Sequence, residues 1–181
     1  KLEGRLAREG DIRDAYHLAP PGEARGPDGD LLAFWRDAVR LRLNTPGEIA
    51  ALIGPDIAAD AAGWLGAGQD RARTHGPLAG CEAVLRAVLG ADDRAERVAC
   101  LLSDVVLARA LNWTVVLPVS AQRLAKSVLR DLAACEQGAD LAVQARLLES
   151  IEETVRLARD VARRAEALRA VAPKLRAKGS S

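Results

Sequence analysis

Residues 94–111 constrain this chain more than any other stretch, because as a helix they have no polar side. At about 100° per residue, Val98, Leu101, Leu102, Val105 and Val106 fall on one flank, and Cys100, Leu107 and Leu111 on the other. A helix that is apolar nearly all round is stable only when other elements enclose it. Those elements must themselves be helices. The 181 residues include 36 Ala and 26 Leu but only five aromatics and five Ile, so strand-forming side chains are scarce. The expectation is an all-α fold: a single irregular bundle of about seven to nine helices around this central one, with a long C-terminal helix.

Glycine, proline and capping residues divide the rest. Residues 1–29 read as a short helical piece, carrying Leu2, Leu6, Ile12 and Tyr16 and broken near Gly10, followed by a Pro/Gly loop. Residues 30–138 read as the helical core. There, Asp30 caps a helix to about Leu43 with Leu31, Leu32, Trp35, Val39 and Leu43 on its inner face. Thr45-Pro46-Gly47-Glu48 has the spacing of a capping box and starts a short helix to Ile53. Gly54-Pro55 opens another, ending at Gly63, Gly66 and Gly68. After a loop at Thr74-His75-Gly76-Pro77, the residues Leu78, Cys81, Leu85, Val88 and Leu89 mark a helix closed by Gly90, and Asp92 or Asp93 caps the central one.

Residues 113–119 alone have strand character, and Pro118 limits them to an extended connector. Ser120 caps a helix carrying Leu124, Val128, Leu132 and Cys135. Residues 139–172 read as one helix of about 34 residues, about 50 Å long if straight. Its stripe is Leu141, Leu148, Ile151, Val155, Ala158, Ala162, Ala165, Leu168 and Ala172, and Ser150 with Glu153 offers an alternative cap that divides it. Pro173 ends it, leaving residues 173–181 as a basic tail.

Lys and Arg total 26 and Asp and Glu 25, a net charge of +1, which argues against a globally basic nucleic-acid binder and an acidic disordered tail. Cys81, Cys100 and Cys135 fit neither a disulfide framework nor a zinc spacing, and each is expected to be reduced and buried. Ser103, Asp104 and Arg109 interrupt the most apolar stretch, and no secretory signal pattern is present, so a cytoplasmic protein without membrane contact is expected. Asn112-Trp113-Thr114 matches a glycosylation acceptor only by chance in such a protein. A start at Lys1 and the absence of Met are expected of the C-terminal part of a longer protein, or of a sequence whose methionine positions have been lost. The 22 Arg against 4 Lys, with the Ala excess, point to a GC-rich bacterial genome.

A charge inside an apolar helix is costly unless paired. Asp104 and Arg109 lie about 140° apart on the central helix and cannot pair with each other, but Arg97 shares the face of Asp104 two turns earlier. Arg97, Asp104, Arg109 and Trp113 are therefore a candidate buried polar pocket, which a small-molecule enzyme would use; otherwise these charges hold neighbouring elements in register. His17 and His75 have no ligand at metal spacing, no phosphate loop, dinucleotide fingerprint or nucleophile elbow occurs, and neither metal nor cofactor is expected. Glu152-Glu153 and Asp92-Asp93 point apart on helices and read as solvated surface and caps. From residue 156 onward, eight basic side chains (Arg156, Arg159, Arg163, Arg164, Arg169, Lys174, Arg176 and Lys178) face two acidic ones, Asp160 and Glu166. They are a candidate polyanion contact whose affinity would fall with salt. No aromatics interleave them, and the helix dipole also favours cations at that end.

Three segments carry a resemblance: residues 9–18 (EGDIRDAYHL) with the Pro/Gly loop after them, residues 103–118 (SDVVLARALNWTVVLP) and residues 171–179 (VAPKLRAKG). In them, and over most of its length, the chain resembles an uncharacterised helical domain family found mainly in alphaproteobacteria, the domain of unknown function numbered 1403. The resemblance implies a longer N-terminus and supplies no functional residue, because the family has no established activity. The resemblance also implies a setting among plasmid- and chromosome-maintenance genes, which favours a nucleic-acid role over a metabolic one. The leading expectation is a non-enzymatic helical interaction or structural module with a protein partner or self-association. The alternatives are a nucleic-acid-associated protein acting through its basic C-terminal helix, and a small-molecule enzyme at Asp104 and Arg109.

Overall fold

The computed structural model describes residues 8–20, 23–43 and 45–178, and among these it forms nine helices and no strand. The predicted central helix is α6 (Glu96–Ala110), in which residues 98–108 are buried without interruption. Against it pack α4 (Pro55–His75) and α5 (Pro77–Ala91), and α3 (Pro46–Ile53) packs on α4. The helix α8 (Lys126–Ala133) and the first part of α9 (Ala139–Lys178) close over α5, while the single turn α7 (Ser120–Arg123) bridges α6 and α9. One contiguous apolar cluster runs from Phe34 and Ala38 in α2 (Gly26–Ala38) to Val143 and Leu147 in α9. Outside that cluster α1 (Glu9–His17) packs on α2, with the Arg25 and Arg36 guanidiniums 5.0 and 4.6 Å from the centre of the Tyr16 ring.

The glycines expected to end α4 lie inside it, because one of them is where two helices cross. A Cβ on Gly68 would sit 2.3 Å from Val84 Cγ2 and 3.1 Å from Val106 Cγ2. One on Gly80 of α5 would sit 2.6 Å from both Ala72 Cβ and the Gly68 carbonyl oxygen. The backbones of α4 and α5 therefore touch through small residues, which lets both reach α6. The loop between them shrinks to Gly76, whose φ of 94° is open to glycine at little cost. Gly63 and Gly66 face open space on the same helix.

Other boundaries shift for local reasons. Gly10 lies within α1 and does not break it, and Leu2 and Leu6 fall outside the described residues. The start of α2 is Gly26, ahead of Asp30, since Pro27 suits a first turn and Asp28 meets the positive end of the helix dipole. It stops at Ala38: Phe34 and Ala38 are buried, Trp35 of the expected stripe packs against the core, Leu43 is buried beyond the end of the helix, and Val39 is exposed. Thr45 heads α3 as its spacing predicts, but its hydroxyl makes no cap bond. Glu48 instead accepts from the Arg42 backbone N–H at 2.9 Å and pairs with the Arg42 guanidinium, which holds its carboxyl below the usual range.

Two helices end in the same way. After α6, Asn112 is left-handed (φ 54°), Trp113 N–H donates to Ala108 C=O at 2.8 Å and Asn112 N–H to Arg109 C=O at 3.2 Å, so this asparagine has a capping role. After α8, Cys135 takes that position (φ 55°), with Glu136 N–H bonded to Asp131 C=O at 3.0 Å. This overturns the expectation for Cys135, which is exposed, while Cys81 and Cys100 are buried as expected. The helix predicted from Ser120 is divided at Leu124 and Ala125, both in extended backbone.

The last helix is continuous: Ser150 Oγ donates to Arg146 C=O at 3.0 Å and makes no cap, and the helix runs through Pro173 to Lys178. Its buried face shares only Ile151, which packs against the core, with the predicted stripe. Ala139, Val143, Leu147 and Ser150 are buried, whereas Leu141 and Leu148 are 69% and 48% exposed.

The two kinds of glycine predict opposite results in urea unfolding. Gly80→Ala puts a methyl group against backbone that cannot rotate away and is expected to destabilise by about 1–3 kcal/mol. Gly66→Ala removes only helical entropy cost and is expected to stabilise by up to about 1 kcal/mol.

Candidate functional site

Asp104 lies at the middle of α6 with no exposed atom. Its partners come from the turn after Pro118, where the chain starts α7 and leaves N–H groups without helical acceptors. Val119 N–H donates to Oδ2 at 3.1 Å, and Ser120 N–H to Oδ1 at 2.8 Å. The Ser120 hydroxyl lies 2.7 Å from Oδ1 and 3.1 Å from Ser103 Oγ. The carboxylate thus caps a helix distant in sequence. Burial pushes its pKa up to about 8, against the opposing pull of the Ser120 hydroxyl and the Ser120 and Val119 N–H groups.

The Ser120 hydroxyl can serve Asp104 in either protonation state. When Asp104 is ionised, Ser120 donates to it and Ser103 donates to Ser120. When it is protonated, it donates to Ser120, which turns to donate to Ser103. Beside this cluster Cys81 donates to the Ser103 carbonyl at 3.4 Å, and burial pushes its thiol up to about 12, which leaves it inert.

Among the described residues, the four read as one pocket make separate contacts. Arg97 is exposed, with its guanidinium 4.6 Å over the Phe34 ring. Arg109 donates twice to the Leu43 carbonyl, at 3.2 and 2.7 Å, tying the end of α6 to the loop after α2, and burial lowers its pKa. Trp113 is half-buried in the cap after α6. None of the four lines the surface cavity of about 350 Å³ beside Leu41 and Leu52, or that of about 440 Å³ beside Leu89 and Leu129. Asp104 therefore meets two backbone N–H groups and the Ser120 hydroxyl where the sequence suggested Arg97.

His75 meets its own helix through Arg71 and Thr74, and His17 lies edge-on to Tyr16 at 5.1 Å. Among the described residues no group of three or more His, Cys, Asp or Glu is placed to hold a metal, and no helix is long and apolar enough to cross a membrane.

The second candidate is α9. The turn α7 grips it at one place: Arg123 pairs with Glu153, and Gln122 Nε2 donates to Thr154 Oγ1 at 3.0 Å and to Pro118 C=O at 2.9 Å. Beyond that grip the helix is largely uncovered by described residues. Its basic side chains do not share one face. Arg156, Arg159 and Arg163 lie within about 60° of one another, while Arg164 and Arg169 point elsewhere. Asp160 pairs with Arg163 at 3.2 Å and Arg164 at 2.8 Å. The side chains of Lys174, Arg176 and Lys178 lie outside the described residues. Sequence reasoning missed Ser103, Ser120, Gln122 and Glu153; the available signal was a lone Asp in an apolar helix shortly before a Pro-Val-Ser helix start.

Asp104→Asn tests the carboxylate's structural role, because an amide NH₂ would face an N–H donor. The variant is expected to lose about 1–3 kcal/mol in urea unfolding. The sign of the pH effect is set by the raised pKa: the folded state holds the proton more tightly than the unfolded one, so this group's contribution to stability falls as pH rises from about 4 to about 8. Wild type is expected to show that decline, and Asp104→Asn to lack it.

No curated protein and no solved structure matches the chain. A family model described as protein of unknown function (DUF1403) matches residues 1–181, the whole chain, and the chain belongs to that family.

Proposed function

We propose that this chain is a non-enzymatic helical module that works by protein–protein contact, its packed body displaying the distal part of α9. One observation carries the reading. Val143, Leu147, Ser150 and Thr154, on the face that seats α9, are spaced alternately by four and three residues, and the same spacing continues through Leu157, Val161, Arg164, Leu168 and Val171. In that continuation Leu157, Val161, Leu168 and Val171 are 59%, 57%, 71% and 46% exposed. A helix–helix seam thus extends beyond the described body. Such a stripe on a projecting helix is an interaction surface by the usual physical criterion.

A second reading uses the opposite side of the helix, where Arg156, Arg159 and Arg163 form a short basic strip. That strip would take a polyanion, and no shift of DNA or RNA at about 50 mM salt would remove this reading. For compartment we propose the cytoplasm, supported by three free cysteines, one of them exposed.

The experiment is Leu157→Glu combined with Leu168→Glu in the whole chain. Both side chains are exposed, so unfolding free energy is expected to stay within about 0.5 kcal/mol of wild type. Light scattering on the eluted wild type is expected to give a mass above one chain, from self-association or a partner, and the double variant to lose it. A wild type that elutes alone, with the mass of one chain, overturns the proposal.

A further inference from the structure

Building on that reading of α9, we propose that its occupant is α9 of a second copy, laid antiparallel across residues 154–171. The stripe itself favours a helix as the occupant. A straight α-helix drifts by about 20° per heptad against a seven-residue repeat, so from Thr154 to Val171 the stripe turns by about 50°. A flat surface, whether globular or lipid, loses contact with a stripe that turns, whereas a second helix winding with it keeps contact throughout. Ala158 and Ala165 flank the stripe on one edge and let the partner backbone come close.

Charge chooses the copy and the direction. Arg164 stands within the stripe, so parallel, in-register pairing would set it on Arg164 of the second copy. Antiparallel pairing places Leu157 against Leu168, Thr154 against Val171, and Val161 against Arg164. It also brings Arg164 beside Asp160 of the second copy, and each such contact is made twice about the two-fold axis. Asp160 already accepts from Arg164 at 2.8 Å within one chain, on the edge of the same stripe. Arg156, Arg159 and Arg163 point away from it, leaving the two basic strips about 20 Å apart, or two helix diameters, and beyond the Debye length of about 8 Å in physiological salt. Their repulsion is screened, while Asp160 at the stripe's edge disfavours an anionic membrane.

Sedimentation equilibrium of the whole chain over two decades of concentration is expected to show a reversible monomer–dimer equilibrium. Leu157→Glu with Leu168→Glu is expected to weaken it by about a hundredfold or more. For direction, a nitroxide is placed at Val171→Cys in a Cys135→Ser background, where the remaining thiols of Cys81 and Cys100 are buried. Antiparallel pairing sets the two labels about 26 Å apart along the seam, whereas parallel pairing makes them neighbours. A dimer with neighbouring labels, or one that the Glu variants leave intact, overturns the proposal. A monomer at every concentration also overturns it, whether the stripe then holds another protein, anionic vesicles or nothing. If that monomer retains a protein that the Glu variants release, the interaction-module reading stands; if it is alone, both fall.

Discussion

The contact between Asp104 and the two N–H groups after Pro118 sets the positions of α7 and of the helices beyond it. A carboxyl with no exposed atom is expensive, and the N–H groups of Val119 and Ser120 offset part of that cost. Val119 and Ser120 are thereby fixed against α6, and with them the direction of α7. Gln122 and Arg123, further along the same turn, reach Thr154 and Glu153 of α9. The polar centre of the core is thus connected, through one turn of helix, to the point at which α9 leaves the body. Neither Asp104 nor this connection to α7 depends on a counter-charge, so the contact is a matter of hydrogen-bond geometry.

A second constraint acts on the other side of α6. Two helices joined by one glycine can both lie on a third only if they also lie close together, and Gly68, Ala72 and Gly80 provide that closeness. Val84 and Val106 then fill the space a side chain at Gly68 would have taken, so the crossing carries apolar packing between α5 and α6 as well. Asp104 and this crossing hold opposite sides of the same central helix. The uninterrupted burial of residues 98–108 needs both.

That burial was legible in the sequence, because an all-round apolar wheel admits only one environment. The helical class and the extended connector before α7 were legible for similar reasons. What could not be read is what depends on a neighbour. A helix-breaking propensity of about 1 kcal/mol marks Gly63, Gly66 and Gly68 alike, although only Gly68 meets another helix. Cys135 resembles Cys81 and Cys100 in its apolar setting, but it is the residue on which α8 closes with a left-handed turn. Asp104 was recognised as a buried charge, yet a charge in sequence suggests an opposite charge, and backbone donors carry no side-chain signal. Arg97, on the face of Asp104, is the counter-charge the sequence offers, but it lies over the Phe34 ring, and Arg109 binds the Leu43 carbonyl.

The last helix shows why a correct element can carry a wrong face. Two apolar stripes run along its first half, roughly 140° apart: Leu141, Leu148 and Val155 on one side, and Val143, Leu147, Ser150 and Thr154 on the other. Larger side chains favour the first stripe, but the body takes the second. Ser150 and Thr154 conceal that choice, since they look polar in sequence and are satisfied within the helix, Ser150 on Arg146 C=O at 3.0 Å and Thr154 on Ser150 C=O at 2.8 Å. Each places its own proton within the helix, and Thr154 Oγ1 in addition accepts from Gln122 of α7 at 3.0 Å. That contact marks where the grip of the body ends. Past Thr154 the register is unchanged but, Arg164 apart, its side chains are again apolar, and exposing such a surface to water is unfavourable. The four-and-three register runs on unchanged past Thr154, and the body formed by the described residues covers only its first half.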